Sequence, residues 1–353
     1  MKPYRISQEF RRGKVPGRGE KQMKEARPSP VDESVAVREL TTAPEMKAAE
    51  DVQAAVWNRR ETVPAHQLMA EAKNGGIVLG AFVGQGPVRE EPARAEASAQ
   101  GEVMVGLSHA FPGRDPCANG SEGVWLYSHM TGVLEPYRHK GIGLLLKLHQ
   151  RKVAIEKGYT QVRWTFDPLY YPNARLNIEK LGGIVRTYYV DYYGELSDSF
   201  SSGIPSDRFL LEWHITSDRV CALLDDNPNS SGGGGSPAGV RGYGSGKTAP
   251  PEAIRISHTG GRPSPGDVLL GMTEPVILVP VPADISAMRK DSLPTALRWR
   301  MATREVFLHY FESRYVLSGI VPYGSREIPD DGCFRYVLAK EEAERAGCGS
   351  GGA

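Results

Sequence analysis

The residues best suited to chemistry in this chain form one short turn, Arg138-His139-Lys140-Gly141-Ile142-Gly143, between an apolar run and a leucine-rich one. The leucine-rich run has helical spacing, so the turn opens a helix N-terminus. The first backbone N–H groups of a helix lack intrahelical partners, and the aligned peptide dipoles place partial positive charge there. Glycines at 141 and 143 let the backbone approach a bulky anion, and Arg138, His139 and Lys140 add cationic donors around the same spot. These residue types at this spacing predict a phosphate or pyrophosphate site. The rival phosphate pattern fails. In Gly242-Tyr243-Gly244-Ser245-Gly246-Lys247-Thr248 the glycine a P-loop needs is replaced by Arg241, and Pro250-Pro251 follows instead of a helix.

The run at 124–134 leads into this turn and reads as a strand. Strict alternation would put Tyr127, His129, Thr131 and Val133 on one face, with Ser128 and Met130 on the other. Tyr127 and His129 are the catalytic candidates. An imidazole titrates near neutrality, so His129 could accept a proton from an attacking group; it could equally be a hydrogen-bonded core histidine. Asp167-Pro168 ends a later strand, and Asp167 reads as a turn cap ahead of a substrate-holding carboxylate. Arg298, Arg300 and Arg304 surround Trp299 in a helical stretch. They read as the solvated basic face of an amphipathic helix ahead of a polar substrate wall.

Pro136-Tyr137, the pattern R-x-x-G-x-G from Arg138 to Gly143, and the leucine-rich helix together resemble the acetyl-CoA pyrophosphate loop of the GNAT acetyltransferase superfamily. Val35-Ala36-Val37-Arg38-Glu39-Leu40 followed by a helix is similar to that family's first strand and helix. Leu181-Gly182-Gly183 is similar to the end of its helix after the fifth strand, and the resemblance spans residues 33–218. Trp164-Thr165-Phe166-Asp167-Pro168-Leu169 and Leu297-Arg298-Trp299-Arg300 look like a bacterial acetyltransferase branch with a C-terminal extension.

The resemblance implies an α/β fold with a mixed, mostly antiparallel sheet flanked by helices, followed by a smaller α+β C-terminal domain. It implies acetyl-CoA or another acyl-CoA as co-substrate, with no metal. Arg138, His139, Lys140, Gly141, Ile142 and Gly143 would bind the pyrophosphate, and Asn173 would contact the pantetheine. The strand before the loop would splay from its neighbour, with the backbone of Val133 or an adjacent residue holding the acyl carbonyl. A small-molecule or peptide amine would then attack the thioester directly in a ternary complex. The family's usual tyrosine acid is replaced by Ile178 here; Tyr170 and Tyr171 lie nearby and read as packing residues. A non-catalytic acyl-CoA-binding module on the same fold is the alternative that Ile178 keeps open.

The elements that must position these groups alternate. Strands are expected at 35–40, 77–83, 103–110, 124–134, 161–166, 184–193 and 209–215, and helices at 44–57, 144–157 and 173–181. A Gly/Ser-rich linker is expected at 219–252. It is followed by an α+β domain at 253–345, with a strand at 275–281, a helix at 295–312, and strands at 315–322 and 334–339. Residues 260–266 and the tail at 346–353 read as glycine-rich loops.

Composition narrows the classes further. The chain has 353 residues, 40% hydrophobic, and a net charge of +1, which demands neither a nucleic-acid nor a membrane partner. The arm at 1–32 is basic, with nine Lys/Arg against three Glu in its first 30 residues. It reads as a disordered, solvated tail ahead of a nucleic-acid-binding arm. The four cysteines are far apart, so neither a zinc site nor a disulfide framework is expected. No run reaches about 18 apolar residues and no apolar leader opens the sequence, so a cytoplasmic protein is expected. Nothing in the sequence specifies an oligomeric state.

Overall fold

Short apolar runs rich in β-branched and aromatic residues, punctuated by glycine turns, give twelve strands in the computed structural model, which describes residues 35–57, 62–84, 101–115, 123–194, 203–224, 249–325 and 331–341. The arm at 1–32, the Pro/Ala/Glu/Arg-rich stretch at 85–100, whose composition reads as a surface insertion between two strands, most of the glycine-rich linker (225–248) with its P-loop-like heptad, and the tail at 346–353 lie outside the described residues.

The strands are Val35–Glu39 (β1), Ile77–Gly84 (β2), Glu102–Arg114 (β3), Val124–Val133 (β4), Gln161–Phe166 (β5), Ile184–Tyr189 (β6) and Arg208–His214 (β7), then Ile254–Thr259 (β8), Arg262–Val268 (β9), Val276–Pro282 (β10), Tyr315–Val321 (β11) and Cys333–Lys340 (β12). Ten of them form one sheet in the order β1-β2-β3-β4-β5-β7-β6-β11-β12-β10. Every neighbouring pair is antiparallel except β4 with β5. The fold is therefore mixed α/β with a mostly antiparallel sheet, as expected. The strands of 253–345 extend this same sheet through the pair Leu317↔Val185. One buried cluster runs from Ile77 to Leu338.

The helices are Ala43–Val56 (α1), Ala65–Lys73 (α2), Ile142–Glu156 (α3), Tyr171–Ala174 (α4, continuing as a π-helical turn over Arg175–Lys180), Asp218–Leu224 (α5), Ile285–Asp291 (α6) and Leu293–Glu312 (α7). A capping box starts α1: Glu45 N donates to Thr42 Oγ1, and the Glu45 carboxylate accepts from Thr42 N. Alternation along β2 sends Ile77, Leu79 and Ala81 into a core shared with α3, the α4 turn and α7. Val78 and Phe82 enter a second core with Met46 of α1 and Leu68 of α2. The sheet thus carries α3, α4 and α7 on one face, and α1 and α2 on the other.

Three details differ from the sequence reading. Residues 262–268 form β9, a strand where a loop was expected. Gly260 (φ 61°) and Gly261 (φ 76°) make its hairpin turn. Pro263 and Pro265 are tolerated because the β8–β9 ribbon has only two strands and leaves free edges. Helix α5 occupies the start of the expected linker, and Glu252 bridges to Leu278 at its end. Helices α2 and α6 were also not expected; each fully buries a single residue, Leu68 and Met288, and in α2 Ala65, Met69 and Ala72 complete a short stripe on the second core.

Candidate active site

The turn at 138–143 lies where expected, between the end of β4 and the start of α3. Gly141 caps the helix at φ 82°, a left-handed conformation suited to glycine. Leu145 N donates to Gly141 O at 3.0 Å, which leaves the N–H groups of Ile142, Gly143 and Leu144 ahead of the first intrahelical bond. The first turn carries no acidic residue and no side-chain cap. At Gly143 an added Cβ would meet nothing within 4 Å. Gly141 therefore serves conformation, whereas Gly143 leaves space in front of free donors. Arg138, His139 and Lys140 are exposed around this space. Arg138 Nε donates to the Val133 carbonyl at 3.0 Å, and Lys140 Nζ lies 5.2 Å from the Tyr137 ring centroid.

The strand feeding the turn parts from its neighbour. β4 and β5 pair only at Leu126↔Val162 and Tyr127↔Arg163, so the ladder opens from Ser128 onward. On its other side β4 stays with β3, where Leu134 N donates to Val105 O at 2.9 Å. Antiparallel alternation then turns the N–H and C=O groups of Val133 and Thr131 away from β3, toward the opening. Val133 is thus placed to offer backbone contacts beside the helix N-terminus.

A register shift between His109 and Ala110 changes the faces of β4. His109 pairs with Met130 and Ala110 with Ser128, leaving His129 as the extra residue of a β-bulge. Strict alternation therefore fails. Thr131 Oγ1 meets Ser108 Oγ at 3.0 Å, and Ser108 accepts from Gln150 of α3 at 2.9 Å, so Thr131 shares the α3 face with Ser128. Val133 packs against the same core. Tyr127 and His129 remain together on the α2 face, joined by Met130, which packs against the second core.

On that face the rings of Trp125, Tyr127, Phe111, His129 and His109 form a continuous group, with His109 and His129 centroids 5.9 Å apart. His129 is exposed, yet desolvation by the aromatic surroundings of its ring holds the imidazole below the ordinary value, with the Glu71 charge pulling the other way. His109 is fully buried and its Nε2 bonds the Glu71 carboxylate. Burial lowers its pKa, against Glu71. Burial also pushes the Tyr127 phenol up, so it remains a neutral donor. Its hydroxyl lies 3.4 Å from Thr165 Oγ1, which is 3.1 Å from the Tyr193 hydroxyl. The opening between β4 and β5 is thereby lined by aromatic and hydroxyl groups.

On the α3 face Lys147 is buried at 4% exposure. Its Nζ donates to Ser128 Oγ at 2.7 Å and to Gln150 Oε1 at 3.4 Å, and lies 3.8 Å from the Trp164 ring centroid. Sequence reasoning did not single out Lys147, His109 or Glu71. A signal for Lys147 was present: Lys147, Gln150 and Ala154 share the i, i+3, i+7 stripe that α3 buries.

Other candidates fall elsewhere. Asn173 is exposed on α4, and among the described residues no hydrogen bond ties its side chain to the turn. Ile178 is buried in the main core and the Tyr171 ring packs tilted against Phe334, centroids 4.8 Å apart, consistent with packing roles. Asp167 Oδ1 accepts from Leu169 N at 2.8 Å, the expected cap, and both its oxygens also accept from Arg300 Nη2 at 2.8 Å. Of the α7 arginines only Arg298 is exposed; Arg300 and Arg304 are drawn in rather than solvated. Arg300 is 2% exposed, Arg304 grips Asp207 at 2.7 and 2.8 Å, and Arg298 donates to Ser264 at 2.8 Å. Carboxylates at the ends of β5 and β7 draw the i, i+4 pair Arg300 and Arg304 inward. Among the described residues, no cluster of three His, Cys, Asp or Glu side chains is arranged to hold a metal.

No protein-family model and no curated protein matches the chain. Among solved structures, it is similar to a protein assigned to the GNAT acetyltransferase family from Desulfovibrio desulfuricans, at 16% identity and TM-score 0.36, over 52% of this chain and 99% of that one. It is also similar to Arabidopsis thaliana NAA60 in complex with acetyl-CoA, at 17% identity and TM-score 0.36, over 51% and 99% of the two chains. A third similar structure is the ribosomal-protein-S18-alanine N-acetyltransferase of Escherichia coli, at 12% identity and TM-score 0.36, over 52% and 95%.

Proposed function

We propose that the chain transfers an acetyl or other acyl group from acyl-CoA to an amine by direct attack in a ternary complex. The reading rests on one conjunction. A helix N-terminus with uncapped N–H groups, open space at Gly143 and three flanking basic side chains adjoins a strand that has left its parallel neighbour. The first half fits a pyrophosphate and the second fits an amide-bearing arm that pairs with strand backbone.

In this reading the Val133 carbonyl, now covered by Arg138, and the Thr131 and Val133 N–H groups contact the pantetheine and the acyl carbonyl. A backbone N–H at the carbonyl oxygen stabilises the charge that develops as the amine attacks. His129 takes the proton from the amine, and the lowered pKa keeps its imidazole neutral and ready near pH 7. Tyr127, Thr165 and Tyr193 hold hydroxyls toward the incoming acceptor. The acceptor is a small-molecule or peptide amine, and the protein is cytoplasmic. Calorimetric titration with acetyl-CoA, followed by turnover against an amine library, tests the proposal. Binding without turnover of any amine would favour a non-catalytic acyl-CoA-binding module.

A further inference from the structure

The proposed reaction releases a CoA thiolate. The position where the resembling family carries a tyrosine acid is Ile178, which is 2% exposed in the core and has no proton to give. A donor must come from elsewhere, and the buried ammonium of Lys147 is placed for it.

Its contacts define the location. The last paired rung between β4 and β5 is Tyr127↔Arg163. The next residue on each strand is Ser128 and Trp164, and these two flank Lys147 Nζ, at 2.7 Å from Ser128 Oγ and 3.8 Å from the Trp164 ring centroid. The amine therefore stands at the apex of the opening, on the α3 face.

Its chemistry is equally unusual. Gln150, Ser128 and Trp164 are all neutral, and among the described residues no carboxylate is paired with this lysine. An ammonium buried without an anion is costly, and burial pushes Lys147 down to about 7. A proton held this loosely can be given up near neutral pH.

Resting on the acyltransferase reading, we propose that Lys147 protonates the departing CoA sulfur. The bond from acceptor nitrogen to carbonyl carbon forms, the carbon–sulfur bond breaks, and sulfur keeps the electron pair. The proton moves from Lys147 Nζ to sulfur, and the neutral amine stays hydrogen-bonded to Ser128. His129 removes one proton from the acceptor, so one proton is lost there and one gained by CoA. Water recharges Lys147 and discharges His129 once products leave.

The test needs no acceptor. Full-length protein is saturated with CoA, and the bound thiol is titrated by the ultraviolet absorbance of its thiolate. With the sulfur beside Lys147 the two groups titrate as a coupled pair: the forming thiolate draws the proton back onto the amine, so the bound thiol is expected to ionise about one pH unit or more below free CoA. Lys147→Met should return it to the free value while CoA still binds. An unshifted thiol in the wild type, or the same shift in Lys147→Met, overturns the proposal and leaves the acyltransferase reading standing. If the wild type binds no CoA, that reading falls and takes this one with it. Should the methionine variant not fold, Lys147→Gln repeats the comparison, and an unshifted wild-type thiol overturns the proposal in either case.

Discussion

Gly143→Asp separates ligand binding from folding at the 138–143 turn. An added Cβ at this position meets nothing within 4 Å, so the aspartate displaces no neighbour. Position 143 lies in the first turn of α3, where a carboxylate gains about 0.3–1 kcal/mol from the helix dipole. Replacing a helical glycine adds a few tenths of a kcal/mol more. The melting temperature should therefore hold or rise by a few degrees.

The same carboxylate would stand where the pyrophosphate sits. At about 5 Å, each like-charge pair costs about 0.8 kcal/mol in bulk water and about 3 kcal/mol at an effective dielectric of 20. Two phosphate charges make the loss at least about 1.7 kcal/mol, or roughly fifteenfold in Kd. Added salt should shrink the difference by screening. Calorimetric titration with acetyl-CoA, alongside thermal melts of both proteins, measures the two effects separately. A variant that melts like the wild type and binds acetyl-CoA equally well would refute the pyrophosphate assignment. Gly141→Asp is a poorer probe, because the φ of 82° there strains any side chain and confounds folding with binding.

With an acceptor in hand, kcat/KM should rise with pH through a limb below the ordinary histidine value of 6.5, because burial lowers the His129 pKa and the base must be neutral. His129→Gln should abolish that limb and cost about 10²–10⁴-fold in rate; a wild-type profile in the variant would remove His129 as base. The ion pair between Arg300 and Asp167 should respond asymmetrically, since their side chains are 2% and 26% exposed. Asp167→Ala strands a buried guanidinium and should cost about 3–5 kcal/mol in urea denaturation, more than Arg300→Met. Equal losses would show that the pair does not carry the difference.

What could be read from the sequence was mostly local. The 138–143 turn was legible because its glycines and basic residues are contiguous and a strand and a helix flank it. The strands at 77–84 and 161–166 were legible because each alternates or runs apolar over its own length. The misreadings share a different cause. Arg300 meets Asp167 across 133 residues of chain, so a basic face on α7 looked solvated until the fold supplied its carboxylates. Helix α2 escaped notice because it has only nine residues, and its short stripe of Ala65, Leu68, Met69 and Ala72 is stabilised by packing on the second core. β9 was hidden by prolines that only a free-edged ribbon accepts. The bulge at His129 has no local signature, because it is a property of how β4 registers against β3.

That bulge also organises the proposed chemistry. With strict alternation, Tyr127, His129, Thr131 and Val133 would line one face, and the α3 face would keep only Ser128 near the opening. The extra residue keeps His129 on the α2 face and turns Thr131 and Val133 toward α3, where Ser108, Gln150 and Lys147 close a hydrogen-bonded network with Ser128. In the proposed reaction His129 takes a proton from the acceptor and Lys147 gives one to the sulfur. Here the sheet lies between them, and the opening at Ser128 is the route by which both can reach one thioester. The single inserted residue thus leaves His129 and Ser128 on opposite faces, as alternation alone would, and adds Thr131 and Val133 to the α3 side of the opening.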